Sequence, residues 1–287
     1  MNRPEQSAGN GPRPAAAPQR PHPGPATQMA FARYHDECLR QPRNQEAGRL
    51  LRYGARVFSQ NDEDGILQEI LNRVGSESRR FVEFGVEDGR QCNTRYLLET
   101  GWSGLWIEAQ QRYVQAMQLA NVQHLSSGRL RLVHGFVTAE SINAMIHEAL
   151  GEVPVDVLSI DIDMNDYWIW RAIDGIAPRV VVIEYNAALR PPASLVVPYD
   201  PARTWDGTNY FGASLKALER LGREKGYALV GCCFSGVNAF FVREDLVADR
   251  FCEPFTAENH FVPPRYFMWY PAGHPAGVGP YVEVGPP

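Results

Sequence analysis

The stretch FVEFGVEDG, residues 81–89, decides the fold class, because a short apolar run ends there in a glycine-rich turn. Four similar apolar runs follow along the chain: GLWIEA (104–109), LRLVHGFV (130–137), VDVLSIDID (155–163) and RVVVIEYNA (179–187). Such runs are typical of strands that are buried on both faces of a parallel sheet. Helical stretches separate them at 92–100, 110–122, 139–150 and 165–175. The alternation predicts an α/β fold, a Rossmann-like doubly wound sheet with right-handed crossovers.

The end of this pattern differs from its beginning. A helix is predicted over 211–225 and ends at Gly226, after which the runs at 227–236 and 238–245 follow each other almost directly. Two strands joined by so short a connection must be antiparallel. We therefore expect a mostly parallel sheet of seven strands that closes with a C-terminal antiparallel hairpin.

The two ends of the chain have other compositions. Residues 1–28 contain seven prolines and almost no large apolar side chain, so we expect a disordered tail. Residues 29–287 are expected to form a single domain with its core over about 57–245 and a wrapping C-terminal tail over 246–287. The segment 188–209 is long and irregular, and loops of that length usually serve function.

Composition excludes several classes of protein. The net charge of −5 and the absence of a dense Lys/Arg block argue against a nucleic-acid partner. No apolar stretch approaches the roughly 20 residues needed to span a membrane, and the start does not resemble a signal peptide. Five cysteines without zinc-binding spacing favour reduced thiols and a cytoplasmic location. A homo-oligomer is compatible with all of this.

The turn after the first strand has features of a ligand site. Gly85 and Gly89 would let the backbone approach a ligand, and the helix that begins near Asn93 would offer free N–H groups. The spacing is not the dinucleotide pattern GxGxxG. Glu108 ends the second strand, where an acid is placed to bind the two hydroxyls of a ribose.

These features carry a resemblance to class I S-adenosylmethionine-dependent methyltransferases, and within them to the FkbM-type group. It rests on SQNDEDGI (59–66), FVEFGVEDG (81–89), LSIDID (158–163) and VVVIEYN (180–186), and it covers roughly residues 57–245. The resemblance implies S-adenosyl-L-methionine as cofactor. It implies these roles: Glu83, Gly85 and Gly89 at the methionine end, Glu108 at the ribose, Asp161 facing the reacting centre, and Ser59 with Gln60 near the cofactor or acceptor.

Two positions depart from the family pattern. The third strand ends in HGFVT, without the acid that often binds the adenine amino group. Met164 stands where a small glycine is expected after the acidic pair, and its bulk would narrow the mouth for the substrate.

The acids near the ends of the fourth and fifth strands predict a second feature. Asp161 and Asp163 are expected on one face of the strand because side chains alternate along it, and Glu184 and Asn186 on the same face of the neighbouring strand. Such oxygen ligands suit Mg²⁺, so we expect Asp163, Glu184 and Asn186 to bind a metal, with Asp161 and Asp163 as catalytic residues. A metal could lower the pKa of the acceptor hydroxyl. A metal-free site, with one acid as general base, is the alternative.

Structural interpretations exist for several of the same side chains. Asp163 or Asn165 could cap the following helix, and Asp166 would complement its dipole. Asn61 or Asp62 could likewise cap the helix at 64–74. Trp168 and Trp170 could line a substrate pocket or belong to the core, and His134 could serve acid–base chemistry or structure alone.

Together these features predict an O-methyltransferase of a small hydroxylated molecule, such as a sugar or a natural-product intermediate. The segment 188–209 and the later residues His260, Tyr266, Trp269 and Tyr270 are expected to shape the acceptor pocket. Two other classes stay open: a sugar-nucleotide or nicotinamide enzyme on the same scaffold, and a binding module without catalysis. The missing GxGxxG argues against the first, and the retained strand-end acids argue against the second.

Overall fold

A computed structural model describes residues 24–265 and 274–285 of the chain, which divides into two units between Glu37 and Cys38. The described part of the first unit is helical, since α1 spans Pro25–Arg40 and ends within the second unit. The prediction of a disordered tail was therefore wrong for residues 25–28, where a proline suits the first helical turn. Residues 1–23 lie outside the described residues.

The second unit contains a seven-stranded sheet, in the order β3-β2-β1-β4-β5-β8-β7. Its strands are β1 (Arg80–Phe84), β2 (Ser103–Glu108), β3 (Leu130–His134), β4 (Val157–Ile160), β5 (Val180–Glu184), β7 (Tyr227–Cys232) and β8 (Asn238–Arg243). The pairs among β1 to β5 are parallel, and β8 is antiparallel to both β5 and β7. The predicted fold, a mostly parallel Rossmann-like sheet with a C-terminal antiparallel pair, is confirmed.

Helices cover both faces of this sheet. They are α2 (Pro42–Gln45), α3 (Glu63–Val74), α4 (Arg95–Glu99), α5 (Gln111–Ala120), α6 (Val122–Ser126), α7 (Ile142–Leu150), α8 (Asp166–Ala172), α9 (Leu215–Glu224) and α10 (Ala257–His260), with short 3-10 turns at Leu51–Tyr53 and Glu244–Leu246. Within residues 24–265 and 274–285, no helix is both long and apolar enough to cross a membrane.

The sheet separates two hydrophobic clusters, because successive side chains of a strand point to opposite faces. On β1, Val82 and Phe84 belong to one cluster and Phe81 to the other, which α3 covers with its apolar residues. Trp170 lies in the first cluster with its ring 4.8 Å from that of Phe241, so its interpretation as a core residue holds. Four of the five free cysteines are buried.

Parts of the chain differ in the structure from their predicted form. β4 ends at Ile160, so neither Asp161 nor Asp163 belongs to the strand. The segment 188–209 is not wholly irregular, because it contains β6 (Leu195–Val196). β6 pairs antiparallel with β9 (Val282–Glu283), a strand in the C-terminal tail.

Candidate functional site

Three carboxylates meet where β4 and β5 end. Asp161, Asp163 and Glu184 each place one oxygen within 4.8 Å of the others, and each side chain is partly exposed. The turn after β1 lies beside them, because β1 and β4 are neighbours in the sheet. The strand order reverses between β1 and β4, and open α/β sheets bind ligands at such a switch point.

The backbone after β4 brings the two aspartates together by a turn and not by strand alternation. Asp163 has a φ of 67°, a left-handed conformation that aspartate tolerates better than most residues. The N–H of Ile162 donates to Asp166 Oδ1 at 2.8 Å, which closes the turn. Asn165 precedes α8 but does not cap it, since its Nδ2 donates to the carbonyl of Asp200 at 2.9 Å.

Burial and mutual repulsion raise the pKa values of the clustered acids. Burial, and then the charge of Asp163, hold the pKa of Asp161 well above its usual range. Burial and Asp161 do the same to the pKa of Glu184. Burial and Glu87 raise the pKa of Asp163 to about 6, and burial raises the pKa of Asp166 to about 7. Like charges held this closely favour a bound cation or a shared proton.

The donor set is compatible with a divalent cation. Glu184 Oε2 and Asp166 Oδ2 are buried and have no hydrogen-bond partner in the described part of the chain. Opposite oxygen ligands lie about 4.8 Å apart around Ca²⁺ and about 4.1 Å apart around Mg²⁺. Oxygens within 4.8 Å of one another can reach a common divalent cation, and carboxylate donors suit either Mg²⁺ or Ca²⁺.

Asn186, expected to complete the metal site, is engaged with the loop backbone. Its Nδ2 donates to the carbonyls of Asn209 at 2.9 Å and Phe211 at 3.0 Å, and its Oδ1 accepts from the N–H of Ala188. The side chain is fully buried. The three carboxylate oxygens of the cluster come from Asp161, Asp163 and Glu184, whereas the amide of Asn186 is hydrogen-bonded to the backbone.

Glu83, expected at the methionine end of the cofactor, holds the first turn together. Its two oxygens accept from four donors: the N–H of Asn93, the N–H and hydroxyl of Thr94, and the hydroxyl of Ser159, at 2.6–2.9 Å. Burial raises the pKa of this carboxyl, whereas the four donors lower it. Four donors can be satisfied together only by an ionised carboxylate.

The two glycines of this turn are explained by close packing. Gly85 has a φ of 78°, and a Cβ there would overlap the carbonyl of Asp161. Gly89 has a φ of 71°, and its Cβ would lie 2.8 Å from the Trp106 ring. Asn93 turns its Nδ2 to Ser159, so its side chain belongs to the same buried network. Gly85 therefore brings the turns after β1 and β4 together.

The remaining predicted residues occupy the opposite half of the sheet edge or its rim. Glu108 accepts from the N–H of Glu87 at 2.9 Å with one oxygen and from the N–H of Gln110 at 2.7 Å with the other. Each oxygen keeps a second lone pair for a ligand hydroxyl. Gln60 is exposed, and His134 is exposed with its Nε2 3.0 Å from the carbonyl of Ala109.

The segment SQNDEDGI supplies a buried acidic network that is more extensive than a helix cap. Asp62 precedes α3 without capping it and accepts from the N–H of Phe234. Asp64 Oδ2 accepts three backbone N–H groups, from residues 57–59. Glu63 accepts from Asn238 Nδ2 at 3.0 Å, and Asn238 lies opposite Glu184 in the pairing of β5 with β8. This link between α3 and the acid cluster was not predicted. Its signal in the sequence is Asn238, a polar residue at the start of the largely apolar strand β8.

Two other expectations concern the acceptor side. Met164 is 2% exposed and packs with Val197, Tyr210 and Phe211 in a small separate cluster. His260, expected to help shape the acceptor pocket, is buried: its Nε2 lies 2.9 Å from the carbonyl of Cys252, and burial lowers its pKa to about 3. Tyr266, Trp269 and Tyr270 lie outside the described residues.

Comparison with known proteins found weak likenesses to solved structures. No protein-family model and no curated protein sequence matches this chain. A TehB-like SAM-dependent methyltransferase from Corynebacterium glutamicum is similar over 77% of this chain and all of that one, with 12% identity and a TM-score of 0.38. An O-methyltransferase from Bacillus cereus, in complex with SAH, is similar over 57% of this chain and 68% of that one, with 16% identity and a TM-score of 0.34.

A third solved structure is the pyocyanin biosynthetic protein PhzM, with 15% identity and a TM-score of 0.37. It is similar over 61% of this chain, and the chain spans about half of its length, 53%.

Proposed function

We propose that this protein is an S-adenosylmethionine-dependent methyltransferase that methylates an oxygen of a small hydroxylated molecule. The observation that carries the proposal is the convergence of Asp161, Asp163 and Glu184 beside the turn after β1, at the reversal of strand order. A ligand that spans this edge would meet Glu108 at one end and the three acids at the other. The FkbM-type likeness of the sequence agrees with this assignment.

The residues of the chain would divide the work along the sheet edge. Glu108 would accept hydrogen bonds from the ribose hydroxyls of the cofactor, and Glu83 would keep the intervening turn in place through Asn93 and Thr94. When bound, the cofactor supplies a methyl group on a positively charged sulfur. The acceptor oxygen forms the new bond to the methyl carbon, the bond from sulfur breaks, and the hydroxyl proton must be removed.

In the first form of the proposal, Asp161, Asp163 and Glu184 hold a divalent cation. The unpartnered buried oxygen of Glu184 supports this form, since a cation would offset its desolvation. The cation would orient the acceptor oxygen and make its proton easier to lose.

In the second form, no cation is needed and Asp163 takes the proton. The pKa of Asp163, raised to about 6 by burial and by Glu87, supports this form because the carboxylate is then a base of useful strength near neutral pH. Activity would rise with pH through this pKa, because only the ionised form accepts a proton.

Calorimetry with S-adenosylhomocysteine tests the cofactor assignment. We expect a single site with micromolar affinity, weakened at least tenfold by Glu108→Gln. No binding at millimolar concentration would refute the methyltransferase assignment.

Transfer of labelled methyl to a panel of glycosides and catechols, with and without a chelator, then separates the two forms. The matched pair is Asp163→Asn and Asp249→Asn, which make the same change at the cluster and at an exposed position. Unchanged turnover in chelator would remove the cation from the mechanism, and unchanged turnover in Asp163→Asn would remove Asp163 from both forms.

A further inference from the structure

The C-terminal segment 274–285 is fastened to the loop that follows β5. Besides the β6–β9 pairing, Val284 donates its N–H to the carbonyl of Ser194 at 2.9 Å, and the Ser194 hydroxyl donates to the carbonyl of Val284 at 2.8 Å. The Tyr210 hydroxyl donates to the carbonyl of Pro280, and the Tyr210 and Tyr281 rings meet edge to face at 5.1 Å. The segment is thus held by several contacts between residues 280 and 284.

Asn209 joins this segment to β5. Its N–H donates to the carbonyl of Pro275 at 2.9 Å, and its Oδ1 accepts from the N–H of Gly277 at 2.8 Å. On the other side, its carbonyl accepts from Asn186 Nδ2 at 2.9 Å. Asn186 stands two residues after Glu184. One side chain and its own peptide groups therefore connect the C-terminal segment with the turn that follows Glu184.

The same loop also contacts the turn that contains Asp163. Met164 packs against Tyr210 and Phe211. Gly212 lies close to Asp163, since a Cβ built on it would be 3.7 Å from the Asp163 carbonyl. Asn165 donates from its side chain to the carbonyl of Asp200, another residue of this loop. The loop thus touches both turns that follow the acid-bearing strands.

We propose that Asn209 is a positioning residue, through which the C-terminal segment holds the turns of Asp163 and Glu184 in their observed arrangement. The catalytic consequence rests on the proposed function, but the mechanical connection does not. In such a site, the cofactor half lies at the ends of β1 and β2 and does not depend on the C-terminal segment. The acceptor half does depend on that segment.

Two glycines of the segment provide a matched test in the full-length protein. A Cβ at Gly279 would lie 2.5 Å from Tyr210 Cε1, whereas a Cβ at Gly285 would meet nothing within 4 Å. We expect Gly279→Ala to displace the segment and Gly285→Ala to leave it in place. The readout is hydrogen–deuterium exchange of the amides of Ile162, Met164 and Asn186, each hydrogen-bonded in the structure.

Gly279→Ala should raise exchange at these three amides at least tenfold, with the affinity for S-adenosylhomocysteine unchanged within twofold. Faster exchange confined to residues 194–212 and 274–285 would overturn the proposal. A rise that also includes the turn after β1 would overturn it as well, because it would reveal general destabilisation. Loss of S-adenosylhomocysteine binding in the unmodified protein would refute the proposed function and leave this test intact.

Substitutions at Asn209 itself distinguish the effect of its side-chain hydrogen bond from the effect of its side-chain volume. Asn209→Asp keeps an oxygen that can accept from the Gly277 N–H, and Asn209→Leu does not. Exchange at Ile162 and Asn186 should rise at least fivefold in Asn209→Leu and return to within twofold of the original rate in Asn209→Asp. Equal rates in the two variants would show that the hydrogen bond has no positioning role.

Discussion

Replacement of Glu83 by glutamine should loosen the turn after β1 without removing any apolar contact. The carboxylate is 2% exposed and serves four donors, two on each oxygen. Glutamine keeps one acceptor oxygen and adds an NH₂ group, so in either orientation at least one buried backbone N–H, of Asn93 or Thr94, faces another donor. The hydroxyl of Ser159 can rotate to accept from the new NH₂, but a backbone N–H cannot.

The cost follows from these contacts. An orphaned buried N–H costs about 1–3 kcal/mol, and loss of the charge weakens the remaining bonds by about 1 kcal/mol in total. We therefore expect Glu83→Gln to lower the free energy of unfolding by about 3 kcal/mol, or the melting temperature by roughly 6–12 °C. Because the same turn borders the proposed cofactor site, the affinity for S-adenosylhomocysteine should fall at least tenfold.

Urea unfolding followed by tryptophan fluorescence measures the first effect, and calorimetry measures the second. Glu87→Gln is the control, because it makes the same chemical change in the same turn at an exposed side chain. Neutral surface substitutions change stability by up to about 0.5 kcal/mol. If Glu83→Gln changed it by no more than that, the conclusion that Glu83 holds the turn together would be refuted.

Three further substitutions test other parts of the structure. Gly85→Ala should lower the free energy of unfolding by at least about 3 kcal/mol, because the left-handed φ is strained for alanine and the new Cβ would overlap the Asp161 carbonyl. Gly101→Ala is the control: its φ is 94° but the space around it is open, so chemical denaturation should show a loss of about 1 kcal/mol. Asp156→Ala removes the acceptor of three backbone N–H groups at the opposite end of the sheet, so stability should fall by about 3 kcal/mol while the affinity for S-adenosylhomocysteine stays constant. Burial and Glu63 raise the pKa of Asp62 to about 7. Between about pH 4 and 7 the folded protein therefore keeps a proton on Asp62 that the unfolded chain has released. The contribution of Asp62 to the free energy of unfolding consequently falls as the pH rises through this range. Asp62→Asn should remove this pH dependence. Between about pH 4 and 7, the stability of the variant minus that of the original protein should therefore rise by up to about 1.4 kcal/mol per pH unit. Parallel plots of stability against pH for the two proteins would contradict this.

The sheet was predictable because most of its strands are runs buried on both faces; β3, at the edge of the sheet, is the exception, with Arg131 and His134 exposed. β1, β2, β4 and β5 have few polar side chains before their last residues, and the short connection between β7 and β8 requires an antiparallel pair. Because the acids follow the C-terminal ends of neighbouring parallel strands, they were expected at the same edge of the sheet. The meeting of Asp161, Asp163 and Glu184 was expected for this reason.

Other features could not be predicted because their partners are distant in sequence. Strand alternation was the wrong reason for the approach of Asp161 and Asp163, since a single left-handed residue achieves it. Asn186 suggested a metal ligand by its position, but its partners lie 23 and 25 residues away in a loop. β6 and β9 have two residues each, too few to show a period.

The pairing of β6 with β9 sets an order in which the molecule can be completed. A growing chain that has reached Val262 already contains every strand of the seven-stranded sheet and every buried member of its two hydrophobic clusters, so its core can form. The loop after β5 must wait, because its partner strand begins later, at Val282. Ribosome-bound chains arrested between these points should therefore fold their core while the acceptor side of the molecule stays unfinished.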